Sequence, residues 1–566
     1  MTASGAAPEG EAEGARGRLA AFRSSFQPAG LLAGTLFFAF SLTPTLLPRG
    51  FMVQGVLSGV AFASGYGIGV LLRWLWSYLE LPRPHGTLWR IATAAAVVAC
   101  ALTAAYFLWH AAEWQNSIRE LMRLEPVNSA HPLEVTAIAA VTALALILAG
   151  RGLRLWARAV ARWANRYVPR RISGLAGIAA AFALLWLVAD GVVARAVLYL
   201  ADSSYLRRDS LFEPQVERPT QAGRAGSPAS LVRWEDLGRA GREFVASGPT
   251  AGEIESVAGG AALEPVRVFV GLASADTAEE RAALALAELR RAGGFDRSVL
   301  VIVTPTGTGW IDDAAMDSLE YLLRGDVASV ALQYSYLSSP FALLTEPEYG
   351  AEAARALFRA VYGHWTTLPR DGRPRLYLHG LSLGAMNSEL STDLFEVLSD
   401  PFHGALWSGP PYRSRLWNSI TAGRDPASPA WLPRFRDGSF VRFVNQASAG
   451  DPPAAAEWGP MRIVYLQYAS DPVTFFRYGY LYREPEWLRA PRGPDVSPQL
   501  RWYPVVTLLQ LTLDMAFSTA VPHGYGHLYA PEHYADAWLQ LTDAQGWPAE
   551  RLAALKRRLR QAMAAD

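Results

Sequence analysis

The chain has 566 residues, of which 51% are hydrophobic and only 18% charged. Soluble domains run nearer a quarter charged, so an ordinary cytosolic enzyme is excluded. The 52 basic and 51 acidic residues leave a net charge of +1, which gives no global electrostatic case for nucleic-acid binding. The one cysteine, Cys100, can form neither an internal disulfide nor a cysteine-based metal site, and no motif calls for a metal or a cofactor.

From the amino terminus, a tail of residues 1–26 precedes five apolar runs, approximately Gln27–Leu47, Phe51–Leu72, Leu88–Leu108, Leu133–Ala149 and Ile172–Arg195. About 20 residues are needed to cross a bilayer, so residues 27–200 are expected to form a multi-pass transmembrane domain of about five helices. The first run is too long for a signal-peptide core, and Pro48 and Arg49 follow it instead of a small-residue cleavage pattern. Gly55, Gly59, Gly65, Gly67 and Gly69 in the second run are small residues that let helices approach closely in lipid. Glu134 and Asp190 stand near run ends, where an interfacial carboxylate accounts for them. The helices therefore read as an anchor, not a transport pathway.

Orientation follows from arginine placement, because basic loops stay on the cytoplasmic side. Arg151, Arg154, Arg158, Arg162, Arg166, Arg170 and Arg171 lie between the fourth and fifth runs with no acid among them. The segment around Arg73, Arg83 and Arg90 and the tail with Arg16, Arg18 and Arg23 agree with it. The opposite loop, Ala111 to His131, mixes acidic and basic residues. The expected localisation is an inner (plasma) membrane protein with a cytoplasmic amino terminus and everything after about residue 200 extracytoplasmic.

Residues 201–264 turn to Gly, Pro, Ser and charge and read as a linker with one short helix around Ser230–Val245. Residues 265–566 then alternate strands and helices. Val266–Val270, Ser298–Val303, Val327–Gln333, Leu376–His379, Gly404–Trp407 and Ile463–Gln467 are predicted strands. Ala278–Arg291, Ala314–Leu323, about Glu352–Tyr362 and Ala385–Leu398 are predicted helices. Near-continuous apolar strands alternating with helices imply a mostly parallel sheet covered on both faces.

Gly380-Leu381-Ser382-Leu383-Gly384 follows one predicted strand and opens a helix. GxSxG at a strand-to-helix turn holds its serine in a strained conformation with the hydroxyl above the sheet, and the glycines leave room for the turn. Ser382 is the candidate nucleophile. A serine needs a base, and the base an orienting acid; on this kind of sheet the order is Ser, Asp or Glu, then His. Asp471, just past the strand Ile463–Gln467, stands where the acid belongs, although Asp-Pro also suits a turn or helix cap. Asp400 precedes its strand, at the wrong edge. The histidines beyond Asp471 are His523, His527 and His533. His527 in the glycine-loosened loop is preferred, His523 remains the alternative base, and His533 falls in the next helix. The amide of Leu383, with Gly307 and Thr308 from the loop Thr304–Trp310, is the expected oxyanion hole. That loop lacks the Lys and Ser/Thr of a phosphate-binding P-loop.

The segments Trp234–Val245 (WEDLGRAGREFV), Thr304–Trp310 (TPTGTGW), Gln333–Leu337 (QYSYL), Gly380–Ala385 (GLSLGA), Tyr465–Pro472 (YLQYASDP) and Gly524–Tyr529 (GYGHLY) carry a resemblance. The soluble half resembles the α/β-hydrolase superfamily. More closely, the chain is similar to a family of bacterial membrane-anchored α/β-hydrolases with a multi-pass amino-terminal domain. The resemblance implies a serine hydrolase and supports Ser382, Asp471 and His527 as its triad. Two departures stand out: a strand–helix–strand replaces the usual opening hairpin, and Leu500–Phe517 before His527 reads equally as strand, helix or lid.

Two insertions, about Pro410–Pro460 and Val473–Thr519, fall between the last strands. The second carries Phe475, Phe476, Tyr478, Tyr480, Tyr482, Trp487, Trp502 and Tyr503, which would either roof an apolar ester site or pack the insertion onto the body. With a bilayer anchor, the expected substrate is a lipid or cell-envelope ester. The same triad could pass the acyl group to an alcohol as an acyltransferase. A reading of another class is a non-catalytic envelope binding or scaffold protein.

Overall fold

A computed structural model describes residues 26–82, 86–189, 216–336, 347–447 and 456–565. The arginines of the amino-terminal tail, Arg83, Asp190 and Leu337 therefore lie outside the described residues. The chain divides into two compact units. One comprises Met1–Leu184 together with Tyr478–Leu488 and Ser497–Ala516; the other comprises Leu185–Arg477, Arg489–Val496 and Phe517–Asp566.

The amino-terminal region contains α1 (Pro28–Ser41), α2 (Phe51–Tyr78), α3 (Thr87–Leu121), α4 (Pro132–Ala164) and α5 (Arg170–Ala189). Each expected apolar run falls on one of them. Among the described residues, α2, α3 and α4 are long and apolar enough to cross a membrane by length and composition, while α1 is a shorter apolar helix. The reason for α1 is local. Pro44 disfavours helical backbone at Thr43, and Ser41 and Thr43 turn their hydroxyls back onto the carbonyls of Phe38 and Phe40. The 14-residue helix is then only about 21 Å long at 1.5 Å per residue, short of the bilayer core.

At the other extreme, α4 runs on through Arg151, Arg154, Arg158 and Arg162, so the basic stretch read as a loop is largely helix. Likewise α3 continues to Leu121. Outward faces of these helices expose Leu72, Leu102, Val141 and Phe182, an apolar surface suited to membrane association. The glycines of α2 work at two interfaces. A Cβ on Gly69 would meet the Ala29 carbonyl of α1 at 2.5 Å, and one on Gly59 would meet Thr142 of α4 at 2.5 Å. Gly65 and Gly55 are likewise blocked by α1 and α4, whereas Gly67 meets nothing within 4 Å.

A polar core closes one end of this unit, in the turn between α1 and α2. Asp514 lies on α15 (Val506–Ala516, numbered in chain order), a helix of the second insertion. Its carboxylate accepts from Thr45 Oγ1 (3.1 Å), the Leu46 amide (3.1 Å) and Arg49 Nε (3.2 Å). Gln510 Nε2 donates to the carbonyls of Ser41 and Thr43, both at 3.2 Å, and Tyr503 stacks on Phe40 at 4.2 Å between centroids. Leu500–Phe517, which the sequence left open, is thus mostly helix, held by the amino-terminal helices.

In the other unit, residues 216–264 carry a short 3-10 turn (Trp234–Leu237), α6 (Gly238–Ser247) and α7 (Ala251–Ala258). Arg224 forms an isolated parallel bridge with Arg267. Then follow β1 (Val266–Val270), α8 (Ala278–Arg291), β2 (Val299–Thr304), α9 (Asp313–Leu322), β3 (Val327–Leu332), α10 (Pro347–Thr367), β4 (Arg375–Leu381), α11 (Leu383–Glu389), α12 (Leu394–Val397) and β5 (Gly404–Ser408). After these come α13 (Arg415–Ala422), β6 (Val441–Val444), β7 (Arg462–Leu466), α14 (Pro472–Phe475), and, beyond α15, α16 (Pro531–Thr542) and α17 (Ala549–Ala565).

The seven strands form one parallel sheet of order β1-β3-β2-β4-β5-β7-β6. Strands β1, β2 and β3 are buried along their whole length, as a sheet covered on both faces requires. Helices α8, α10 and α11 pack in sequence, and α9, α16 and α17 pack on one another. The predicted helix Ala385–Leu398 is interrupted: α11 ends at Glu389, and Asp393 caps the separate α12. Strand β6, inside the first insertion, was not predicted.

Register places the site. Thr304 pairs with Gly380, Leu381 with Ser408, and Ser408 with Leu466. The carboxyl ends of β2, β4, β5 and β7 are therefore level, and the chain leaves all four at one edge of the sheet, where parallel sheets hold their ligands.

Candidate active site

Ser382 stands between β4 and α11 with φ 57° and ψ −122°, a conformation that costs a non-glycine residue of order 1–3 kcal/mol. Its neighbours dictate the glycines of the motif. A Cβ on Gly380 would lie 2.4 Å from the carbonyl carbon of Gly384, and one on Gly384 would lie 2.2 Å from the Thr304 oxygen. The turn is so tight that only hydrogen fits at either place. The Ser382 amide donates to the Ser408 carbonyl at 2.9 Å, continuing the β4–β5 ladder to the candidate serine itself.

Asp471 follows β7 and is fully buried. Its Oδ1 caps α14, accepting from Val473 N (2.9 Å) and Thr474 N (3.4 Å). Its Oδ2 lies 2.7 Å from His527 Nδ1. The cap that Asp-Pro suggested is thus formed by one oxygen, while the other oxygen meets the preferred histidine. A carboxylate oxygen accepts, so Nδ1 is the donor in this contact. Nε2 is buried and has no hydrogen-bond partner among the described residues.

The turn after β5 touches both the imidazole and the Ser382 backbone. Ser408 receives the Ser382 amide, and a Cβ on Gly409 would lie 2.7 Å from His527 Cε1, the carbon between the two ring nitrogens. His523 is exposed and is not among the groups hydrogen-bonded to Asp471. His533 pairs with the Tyr468 hydroxyl at 2.6 Å. Asp400 takes a two-pronged contact from Arg373 at 2.7 and 2.6 Å and is a structural ion pair.

The loop Thr304–Trp310 lies against the first turn of α11 through the Gly384–Thr304 contact. It closes on itself through Thr306 N to the Trp310 carbonyl (2.9 Å) and turns at Gly309, whose φ is +87°. Gln333 pins it by donating to the Thr308 carbonyl at 3.2 Å, while its own oxygen accepts from Leu272 N at 3.0 Å. Gly307 and Thr308 belong to a loop whose first residues, Thr304 and Pro305, meet Gly384.

Several participants escaped the sequence reading. Tyr529 is fully buried and donates to Asp471 Oδ2 at 2.8 Å. Ser470 accepts the Gly526 amide at 2.9 Å and donates to Asp495 at 2.6 Å. Asp312, buried and bonded by the Tyr534 hydroxyl at 2.9 Å, is pushed up to about 7 by burial. Glu389, on α11, is pushed up to about 7, again by burial, and accepts from Ser414 and from Tyr465 Oη. Tyr529 and Ser470 lie in quoted motifs; Asp312, Glu389 and Asp495 are buried polar groups whose partners are far away in sequence.

The insertion's aromatic rings largely pack. Phe475 lies against Trp417, Phe476 against Tyr412, and Tyr480 against Trp487. Tyr478 and Tyr482 are exposed. No group of three or more His, Cys, Asp or Glu suited to a metal occurs among the described residues.

Among known protein families, the model described as alpha/beta-hydrolase family matches residues 266–555, and that described as alpha/beta-hydrolase family N-terminus matches residues 42–249. No curated protein and no solved structure matches the chain.

Proposed function

Because the chain belongs to the alpha/beta-hydrolase family, we propose that it is a membrane-anchored serine hydrolase cleaving a lipid or cell-envelope ester, with Ser382 as nucleophile, His527 as base and Asp471 as orienting acid. The observation that carries this reading is the 2.7 Å contact of Asp471 Oδ2 with His527 Nδ1 at the sheet edge where Ser382 takes its positive φ.

In this mechanism, His527 Nε2 takes the proton of the Ser382 hydroxyl as Oγ attacks the ester carbonyl carbon. The oxyanion of the tetrahedral intermediate is received by the amide of Leu383 and by the loop of Gly307 and Thr308. Collapse breaks the bond to the alcohol, which leaves with the proton from His527. Water then attacks the acyl-serine, gives its proton to His527, and releases the acid while Ser382 recovers its hydrogen. Asp471 accepts from Nδ1–H throughout and so orients the imidazole.

The substrate class is supported by the apolar amino-terminal helices and by the membership of Tyr478–Leu488 and Ser497–Ala516 in the helical unit. An enzyme whose own insertion is tied to apolar helices meets esters at a membrane surface. The basic residues at the end of α4 support a cytoplasmic placement of that end. The polar core around Asp514 involves the α1–α2 turn, on the other side of the spans in the same orientation, and this favours an extracytoplasmic catalytic domain.

The test is product analysis with a phospholipid or p-nitrophenyl ester donor, with and without glycerol or a sugar. Free acid in both conditions supports the hydrolase. Acyl-glycerol or acyl-sugar formed at the expense of free acid assigns the same triad to an acyltransferase. Absence of both from folded protein would leave the non-catalytic reading.

A further inference from the structure

Two contacts join the strand β7 exit to the loop that carries His527, and they come from adjacent residues on each side. Asp471 meets His527; Ser470, one residue earlier, meets Gly526, one residue earlier. The second rung has its own acid. Asp495 Oδ2 accepts the Ser470 amide at 3.1 Å and the Ser470 hydroxyl at 2.6 Å. A serine hydroxyl has a single hydrogen. Spent on Asp495, it leaves a lone pair to face the Gly526 N–H at 2.9 Å.

Gln446 completes the arrangement, donating through Nε2 to Asp495 Oδ2 at 2.8 Å and to the Gly524 carbonyl at 3.2 Å. The loop needs such support, since Gly524 and Gly526 have φ of +94° and +57°, in a region where glycine is conformationally free. Asp495 and Ser470 are fully buried. The other carboxylate oxygen of Asp495 is buried with no hydrogen-bond partner among the described residues.

We propose that Asp495 is a positioning residue for the reaction: through Ser470 it fixes Gly526, and so holds the His527 imidazole on Asp471 and aimed at the nucleophile. The inference rests on the reading of His527 as the base. It assigns Asp495 no contact with substrate.

The experiment measures fluorophosphonate labelling of the detergent-solubilised full-length chain, separating the maximal labelling rate from the half-saturating probe concentration. Wild type is compared with S382A, S470A, D495A and D495N. In D495N the amide oxygen keeps all three donors and the NH2 group falls where the unpartnered oxygen was. S470A and D495A are expected to lower the maximal rate about tenfold or more, since small misplacements of catalytic groups cost up to about a hundredfold. Half-saturation should stay within about twofold, because the probe-binding surface is untouched. D495N should recover most of the lost rate.

S470A removes one hydroxyl and keeps the test open should D495A not fold. Wild-type rates in S470A and D495A overturn the proposal. So does a slow D495A beside a wild-type S470A, because the effect would not run through Ser470. Failure of the wild type to label, or labelling that survives S382A, instead removes the assignment on which the proposal rests, and the proposal with it.

Discussion

Asp471 and His527 meet at 2.7 Å through one carboxylate oxygen, while the other oxygen caps the helix that begins at Pro472. The cap fixes the carboxylate's plane, so the imidazole meets an acceptor already oriented. One aspartate thus combines the turn chemistry of Asp-Pro with the contact that the proposed mechanism requires.

Tyr529 shares Oδ2 with the imidazole. A hydrogen bond to a charged acceptor is worth about 1.5–3 kcal/mol, and part of that orients the acid. Tyr529→Phe should lower the maximal rate of fluorophosphonate labelling about threefold to tenfold without changing half-saturation. An unchanged rate would mean that the cap alone orients Asp471.

Gly384 is closed by the Thr304 and Pro305 carbonyls. Gly384→Ala should lower stability by about 1–3 kcal/mol through overpacking and suppress labelling, since any relief moves the Thr304–Trp310 loop. Gly363, on the exposed side of α10, meets nothing within 4 Å. Gly363→Ala should therefore raise stability by about 0.5–1 kcal/mol. Melting temperatures of the two variants, moving in opposite directions, check the prediction.

Glu389 holds its proton in the folded protein up to about 7 because burial opposes its charge; unfolded, it ionises in the usual carboxylate range near 4.3. Between those values the folded state binds the extra proton, so stability is fully present below the lower value and falls as pH rises towards the upper one. The loss is on the order of 3 kcal/mol. Chemical denaturation at pH 5 and pH 8 should show Glu389→Gln losing less stability between the two than the wild type.

Arg49 and Asp514 are both buried, with side chains 3% and 0% exposed. Removing one member of a buried pair strands the other and costs about 3–5 kcal/mol. Asp514→Ala and Arg49→Met should each lower the melting temperature in detergent, whereas the double variant R49M/D514L should recover a substantial part. A double variant no better than the singles would contradict the view that the stranded charge dominates.

Strands were the most legible part of the sequence. Val266–Val270 and Val299–Thr304 are near-continuous apolar runs because both faces of the sheet are covered, and burial of that kind is written directly in composition. Strand β6 escaped because it has only four residues, inside a largely irregular insertion. The first apolar run was legible as helix but not in its length, since Pro44 ends α1 before the hydrophobicity does. The strained turn at Ser382 was readable because a glycine-flanked serine between a strand and a helix restricts the backbone there. Asp495 and Tyr529 act across a folded distance, and nothing local in the sequence distinguishes Asp495 from any other loop aspartate. The union of Ser497–Ala516 with the amino-terminal helices depends on Asp514 finding Arg49, a pairing separated by 465 residues.

The most direct test is to treat the folded, solubilised chain with a fluorophosphonate and identify the modified residue by peptide mass spectrometry. A single adduct on Ser382, absent from Ser382→Ala, lost in His527→Ala and retained in His523→Ala, is the predicted result. No adduct on folded protein, an adduct elsewhere, or labelling that survives Ser382→Ala would contradict the assignment of a serine hydrolase.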